Sequence, residues 1–275
     1  RRSAGRLPAE KFWREALRLG PVYLWITLAA ALALLIVSGD PSYAILRAMA
    51  TIATFGIEIP GNSGAGGITG EGILAVVMLF ALSRSTFSTV FARARKWRVT
   101  EDRELRVAAG LVLLASVILI AQGAQNSEGL HARLELIWGA FFTSLSFLTT
   151  TGLTSDYLPS GIINLDPVEI ILVGLAMIGG GVATTAGGIK LLRIFILAGH
   201  SRAEVNSLIA PSQVMSGQLE SRSHDHHSAM LAWVFLVLFI LVLGALTLAL
   251  TVTGSPVKEA LHLTFAAFTN TGPLL

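Results

Sequence analysis

Three short stretches of this chain carry residue types that could bind a bare monovalent cation. They are Thr54-Phe55-Gly56-Ile57, Thr150-Thr151-Gly152-Leu153 and Asn270-Thr271-Gly272-Pro273. Each follows a run rich in Ser, Thr, Ala and Phe: Met49-Ala50-Thr51-Ile52, Leu145-Ser146-Phe147-Leu148 and Thr264-Phe265-Ala266-Ala267. A turn whose carbonyls all face one way can replace the water around a dehydrated ion. That backbone needs positive φ, which glycine adopts without penalty, so the expectation places the left-handed conformation on the glycine of each turn. The hydroxyls of Thr149-Thr150-Thr151 add oxygen ligands. A single Thr-x-Gly turn is also an ordinary helix C-cap; three in register point to a shared site.

A second run is Gly179-Gly180-Gly181-Val182-Ala183-Thr184-Thr185-Ala186-Gly187-Gly188-Ile189-Lys190, in the middle of the longest apolar stretch. Each glycine costs a helix about 1 kcal/mol relative to alanine, so this run predicts a broken helix. Gly179, Gly180, Gly181, Thr184, Thr185, Gly187, Gly188 and Lys190 are expected to form a flexible segment across an ion path, on the inner side of the turns. Interrupted transmembrane helices mark ion sites and moving parts; the competing use of so many small residues is close helix packing. A phosphate-binding loop is excluded, because that motif needs Gly-Lys-Ser/Thr adjacent and Ile189 separates Gly188 from Lys190.

Lesser signals fall outside these runs. His224-Asp225-His226-His227 has metal-ligating residue types, but it lies in a polar stretch after Ala210 and reads as a solvated loop. The basic run Arg93-Ala94-Arg95-Lys96-Trp97-Arg98 reads as an inner-leaflet anchor with an interfacial Trp, not as a nucleic-acid patch. Arg47, within a predicted short helix, suits an acidic partner such as Glu58 or Glu71, or a stiffening of the outer mouth.

The elements that must position these residues are apolar helices. Of the 275 residues 53% are apolar and 13% charged, against roughly 25% charged in a soluble domain. The mean hydropathy is +0.69. This composition argues for a lipid-facing surface. Zero cysteines exclude a disulfide framework and a thiolate metal site. No short apolar core with a cleavage site follows the basic N-terminal stretch, so no signal peptide is expected, and the chain reads as an excerpt of a longer protein. Long apolar stretches predict spans at Val22–Ser38, Leu105–Ala121, Val168–Ala198 and Ser228–Thr253, with a weaker one at Gly72–Ala92. A membrane core about 30 Å thick needs roughly 20 helical residues. Between the spans lie shorter apolar segments ending at the glycine turns: Tyr43–Gly56, Leu134–Gly152 and Val257–Gly272. They are expected to be re-entrant.

The order spanning helix, short helix, glycine turn, spanning helix therefore repeats. It divides the chain into a basic cytoplasmic segment 1–21, a pore repeat 22–104, a second repeat 105–210 with the broken helix, and 211–275, a cytoplasmic linker with an incomplete third unit. If the short helices enter and leave on the outer side, that side keeps only Arg47, Arg133 and Lys258 of the 20 Lys and Arg. It also collects Asp40, Glu58, Glu71, Glu128, Glu135, Asp156, Asp166, Glu169 and Glu259. Enrichment of Lys and Arg on the cytoplasmic side is the positive-inside rule. Three short helices would direct their negative C-terminal ends toward one axis, and Glu58 and Asp156 would raise the local cation concentration. A coupled secondary transporter is the alternative, and it would predict acids buried in mid-span. An intramembrane enzyme would need a nucleophile or metal set inside a span, and the predicted spans hold no His.

The repeated unit, with Thr150-Thr151-Gly152 in one turn, resembles the Trk/Ktr/HKT superfamily of potassium transporters. The run Gly179–Lys190 is similar to that family's Gly-rich break in the third repeat, and Asn270-Thr271-Gly272-Pro273 to the turn of its fourth. The resemblance covers essentially the whole chain, as repeats two and three and the first half of four. It implies an all-α polytopic membrane protein with repeated helix–pore helix–filter turn–helix units around a pseudo-fourfold pore. It implies K+ as the transported ion, no covalently bound cofactor, and a multi-pass position in the plasma or inner membrane. It also implies a homodimer with one pore per subunit and a cytoplasmic nucleotide-binding regulatory subunit, with no nucleic acid as partner. Carried over by position, Thr54 to Ile57, Thr150 to Leu153 and Asn270 to Pro273 become filter residues, and Gly179 to Gly188 the gate. The first turn and its follower, Pro60 to Gly72, keep to the family pattern only loosely.

Overall fold

The computed structural model describes residues 8–56, 66–79, 82, 103–124, 129–159, 161–163, 166–181, 184–209 and 219–272. Among the described residues the regular structure is helical, without a strand. The helices are α1 (Pro8–Ser38), α2 (Pro41–Ala53), α3 (Gly67–Leu79), α4 (Arg103–Gly123), α5 (Leu130–Leu148), α6 (Asp166–Ile178), α7 (Leu191–Ile209), α8 (Leu219–Val252) and α9 (Val257–Thr269).

Three described helices are long and apolar enough to cross a membrane, through Gly20–Ser38 of α1, Leu105–Gly123 of α4 and Ala229–Val252 of α8. Each packs against the helix that follows it: α1 on α2, α4 on α5, α8 on α9. The unit seen in the sequence is thus a packed pair built three times. α2 and α9 have 13 residues each, about 20 Å at 1.5 Å per residue, too short for a membrane core of about 30 Å. α5 departs from the expectation. It starts at Leu130, four residues before the predicted Leu134, and its 19 residues give about 28 Å.

The helix starts follow from local chemistry. Asp40 caps α2 by accepting from the Ser42 and Tyr43 N–H groups at 2.9 and 3.5 Å, and Pro41 fills the first helical turn, where no N–H is needed. α1 runs backward through Pro21 to Pro8, so the spanning helix continues into the basic segment. α8 begins at Leu219; the His224–His227 run is therefore helical, where a solvated loop was expected. At 34 residues α8 is about 50 Å long and projects beyond an apolar core. The weak span Gly72–Ala92 is described only as α3, which begins at Gly67; Arg93–Arg98 lies outside the described residues.

The pattern of burial is that of a membrane protein. Leu24, Trp25, Leu28, Leu32 and Ile36 of α1 and Val234, Leu238 and Leu241 of α8 are exposed. The interior, in contrast, holds Thr143, Ser144, Ser146, Thr149, Thr150 and Thr151, all fully buried. Polar groups in water-free surroundings need partners or a wet cavity.

Candidate functional site

The three turns share one backbone conformation. α2, α5 and α9 each end on a left-handed residue two positions before the glycine: Thr54 (φ 49°), Thr150 (φ 57°) and Asn270 (φ 62°). The next N–H in each reaches five residues back: Phe55 to the Ala50 carbonyl at 2.8 Å, Thr151 to Ser146 at 2.9 Å, and Thr271 to Ala266 at 3.1 Å. This is the Schellman closure of a helix, in which glycine normally takes the left-handed place. The expectation that the turn glycine takes the left-handed conformation is corrected here. The shared left-handed residue is the Thr or Asn before it, and Gly152 (φ 69°) adds a second such residue to the second turn. A β-branched residue in this region is an outlier, and such strain persists only where surrounding contacts impose it.

Those contacts come from the break in the long apolar stretch Val168–Ala198. As expected, the helix stops: α6 ends at Ile178 and α7 begins at Leu191. The chain between them folds back on itself, because the Ile189, Lys190 and Leu191 N–H groups donate to the Met177, Ile178 and Gly180 carbonyls at 2.9, 3.0 and 3.2 Å. Gly179 (φ 71°) and Gly188 (φ 78°) make the two sharp corners. Thr54 Oγ1 donates to the Thr185 carbonyl at 2.9 Å. The Gly187 N–H donates to Thr150 Oγ1 at 2.6 Å. A Cβ on Gly187 would stand 2.8 Å from the Thr269 carbonyl oxygen. One segment therefore touches all three helix ends, and the strained threonines of the first two turns bind it with their hydroxyls. Lys190 (φ 80°) sends its ammonium back to the carbonyls of Thr184, at 3.4 Å, and Ala186.

After the second turn the chain doubles back along α5. The Leu153 N–H donates to Ser146 Oγ at 2.5 Å and the Ser155 N–H to Thr143 Oγ1 at 3.3 Å. Further on, Tyr157 and Leu158 press against Gly139, where a Cβ would be 2.9 Å from the Leu158 nitrogen. The chain runs back alongside the helix by which it came. Paired hydroxyls stiffen two of the turns: Thr149 with Thr151 at 3.0 Å, Thr269 with Thr271 at 2.6 Å. The first turn has Ala53 and Phe55 at these positions, and Phe55 is exposed, so it departs from the other two as the sequence implied. The first and third turns are in direct contact: the Gly56 N–H donates to the Asn270 carbonyl at 3.0 Å, and a Cβ on Gly272 would overlap the Gly56 oxygen. No ion fits between those two points in this conformation. Ile57 and Pro273 lie outside the described residues, as do Glu58 and, within the break, Val182 and Ala183.

Two clusters escaped the sequence reading. Glu71, read there as an outer acid and a candidate partner of Arg47, is buried in the first turns of α3. Lys258 and His262 of α9 meet Glu169 of α6 at 3.7 and 2.7 Å. The available signal was the position of Glu71 in an apolar helix, since ionisable groups in such segments are functional candidates by default. Arg47 is buried and lies 5.9 Å from the Tyr43 ring centroid. It lines a narrow pocket with Glu71 and Asp156. Among the described residues no group of three or more His, Cys, Asp or Glu is placed to hold a metal ion.

Repeated span and short-helix pairs, a broken helix and a polar interior define an all-α polytopic membrane protein. The chain resembles the Trk superfamily of potassium transporters in sequence as in fold. It is 29% identical over 263 residues to the Trk system potassium uptake protein TrkH of Escherichia coli (strain K12), covering 92% of this chain and 52% of that protein. It is 28% identical over 256 residues to the Trk system potassium uptake protein TrkI of Halomonas elongata, covering 92% and 51%. The crystal structure of the potassium transporter TrkH from Vibrio parahaemolyticus has the same fold, with a TM-score of 0.80 at 23% identity, over 98% of this chain and 57% of that one. The chain thus spans about half the length of the curated relatives it matches. No family model matches it.

Proposed function

We propose that the protein of which this chain forms the described part takes up potassium, conducting it through a filter of re-entrant turns closed from inside by the broken segment. The carrying observation is the convergence of one segment, Thr184–Lys190, on the ends of all three short helices. Carbonyls of Thr54–Ile57, Thr150–Leu153 and Asn270–Pro273 would serve as ion ligands, with the negative helix C-termini behind them. The names of the relatives supply the ion, K+, as substrate and not as a resident cofactor. In the four-turn ring that the resemblance implies, ion passage requires Gly56 and Asn270 to separate. Gly179, Gly180, Gly181, Thr184, Thr185, Gly187 and Gly188 form the gate, and the Lys190 ammonium occupies carbonyls that a passing cation would use.

The resemblance further supports a homodimer in the cell membrane, with a cytoplasmic nucleotide-binding regulatory subunit. Conduction is preferred over coupled transport because Glu71, the one buried acid in an apolar helix among the described residues, is committed to three hydrogen-bond donors. The test is growth of potassium-uptake-deficient cells at low external potassium, carrying the full-length protein or its Gly152→Ala and Gly152→Asp variants. Rescue by the parent, lost in both variants while the protein stays in the membrane, supports the reading. A parent that fails to rescue, or variants that rescue equally well, overturns it in favour of coupled transport.

A further inference from the structure

Behind the second turn, Glu71 ties together three elements. From α5 the Trp138 Nε1–H donates to Glu71 Oε2 at 2.7 Å. From the segment leaving the turn, Ser155 Oγ lies 2.8 Å from both carboxylate oxygens, and the Asp156 N–H donates to Oε1 at 3.1 Å. The carboxylate itself is carried by α3, which packs on α5 and on α2. Every partner is a donor, which suits an acceptor-only carboxylate, and charge-assisted bonds of this kind are about twice as strong as neutral ones.

We propose that Glu71 is a positioning residue that sets the ion preference of the second turn. The stretch Thr151–Ser155 can present carbonyls to an ion only if its other face is held. Nearer the turn that face is held by neutral hydroxyls of α5, Ser146 on Leu153 and Thr143 on Ser155. At the outer end it is held by Glu71 alone among the described acids. Discrimination between cations of one charge depends on the number and placement of the oxygens and on how far they can relax. A strand released at Ser155 and Asp156 is free to close on a smaller ion. Glu71 touches no ion itself; it acts through the backbone it fastens. Arg47 and Tyr43 of α2 line the other side of the same pocket, which places the carboxylate between the first two repeated units.

This inference rests on the potassium-filter reading, and the experiment separates the two. The full-length protein is reconstituted in vesicles, and uptake of Rb+ (as a K+ tracer) and of Na+ is measured for the parent and for Glu71→Gln, Trp138→Phe and Ser155→Ala. Glu71→Gln keeps the shape but turns an NH2 toward one of the donors. Trp138→Phe and Ser155→Ala each remove one donor and leave the carboxylate. The expected result is a Rb+/Na+ uptake ratio lowered about tenfold in Glu71→Gln and severalfold in the other two, at equal amounts of vesicle protein. A loss of folding alone would lower both fluxes together and leave the ratio unchanged. If Glu71→Gln does not reach the membrane, the ratio in the two donor variants decides. A selective parent whose ratio survives in every variant that assembles overturns the role of Glu71. A parent that moves neither ion selectively overturns the filter reading, and this inference with it.

Discussion

Replacing Gly179 with alanine forces the break segment apart. At φ 71° an alanine enters the left-handed region at about 1–2 kcal/mol. Its methyl would overlap the Gly187 carbonyl oxygen and stand 3.1 Å from both the Gly187 carbonyl carbon and Gly188 Cα. These are backbone atoms, so no side-chain rotation relieves the overlap. Relief means separating the two ends of the loop, at the expense of the Ile189, Lys190 and Leu191 hydrogen bonds that close it. At about 1 kcal/mol net for each bond, full opening forfeits about 3 kcal/mol. Partial opening together with the strain thus lies on the order of 3 kcal/mol. With about 1.4 kcal/mol per factor of ten, the opened form gains on the order of 100-fold. Since this chain has no cysteine, Ala186→Cys in the full-length protein, cleared of any other cysteine, reports on the segment; Ala186 is buried in the closed loop. The rate of its modification by a thiol reagent in membranes is expected to rise about 100-fold when Gly179→Ala is added, if opening limits access. Gly174→Ala on α6, where nothing stands within 4 Å of the added methyl, should leave the rate alone. An unchanged rate with Gly179→Ala would refute the closed-loop geometry.

Gly272→Ala would drive the third turn away from the Gly56 carbonyl, and it is expected to abolish potassium uptake while Gly110→Ala on α4, with open space around it, is tolerated; uptake and thermal stability of the purified protein check both. Asp40→Ala removes the cap of α2 at an expected loss of about 1 kcal/mol, read as a lower melting temperature, with the Rb+/Na+ ratio unchanged because the cap lies at the far end of the helix from the turn.

Short-range physics was readable along the chain. Apolar runs located α1, α4 and α8, because hydrophobicity summed over a helix length is a local quantity. The three turns stood out because each sets a glycine after a Ser-, Thr-, Ala- and Phe-rich helix end, and the break at Gly179–Gly188 followed from helix propensity alone. The position of the left-handed residue was misjudged for a related reason. Propensity assigns that conformation to glycine, whereas here tertiary contacts hold a threonine in it. The start of α8 was likewise misjudged, since the polar run His224–His227 looks like a loop until the apolar helix behind it extends through it.

What the residues alone determined is that the protein lives in a membrane and repeats a span, a short helix and a polar turn. What only the tertiary structure decided is which of those polar groups meet. Thr54 reaches Thr185 across 131 residues, Thr150 meets Gly187 across 37, and Glu71 meets Ser155 across 84. No local pattern encodes such pairings. They arise because polar groups removed from both water and lipid must find one another, and which ones can do so is set by how the helices pack.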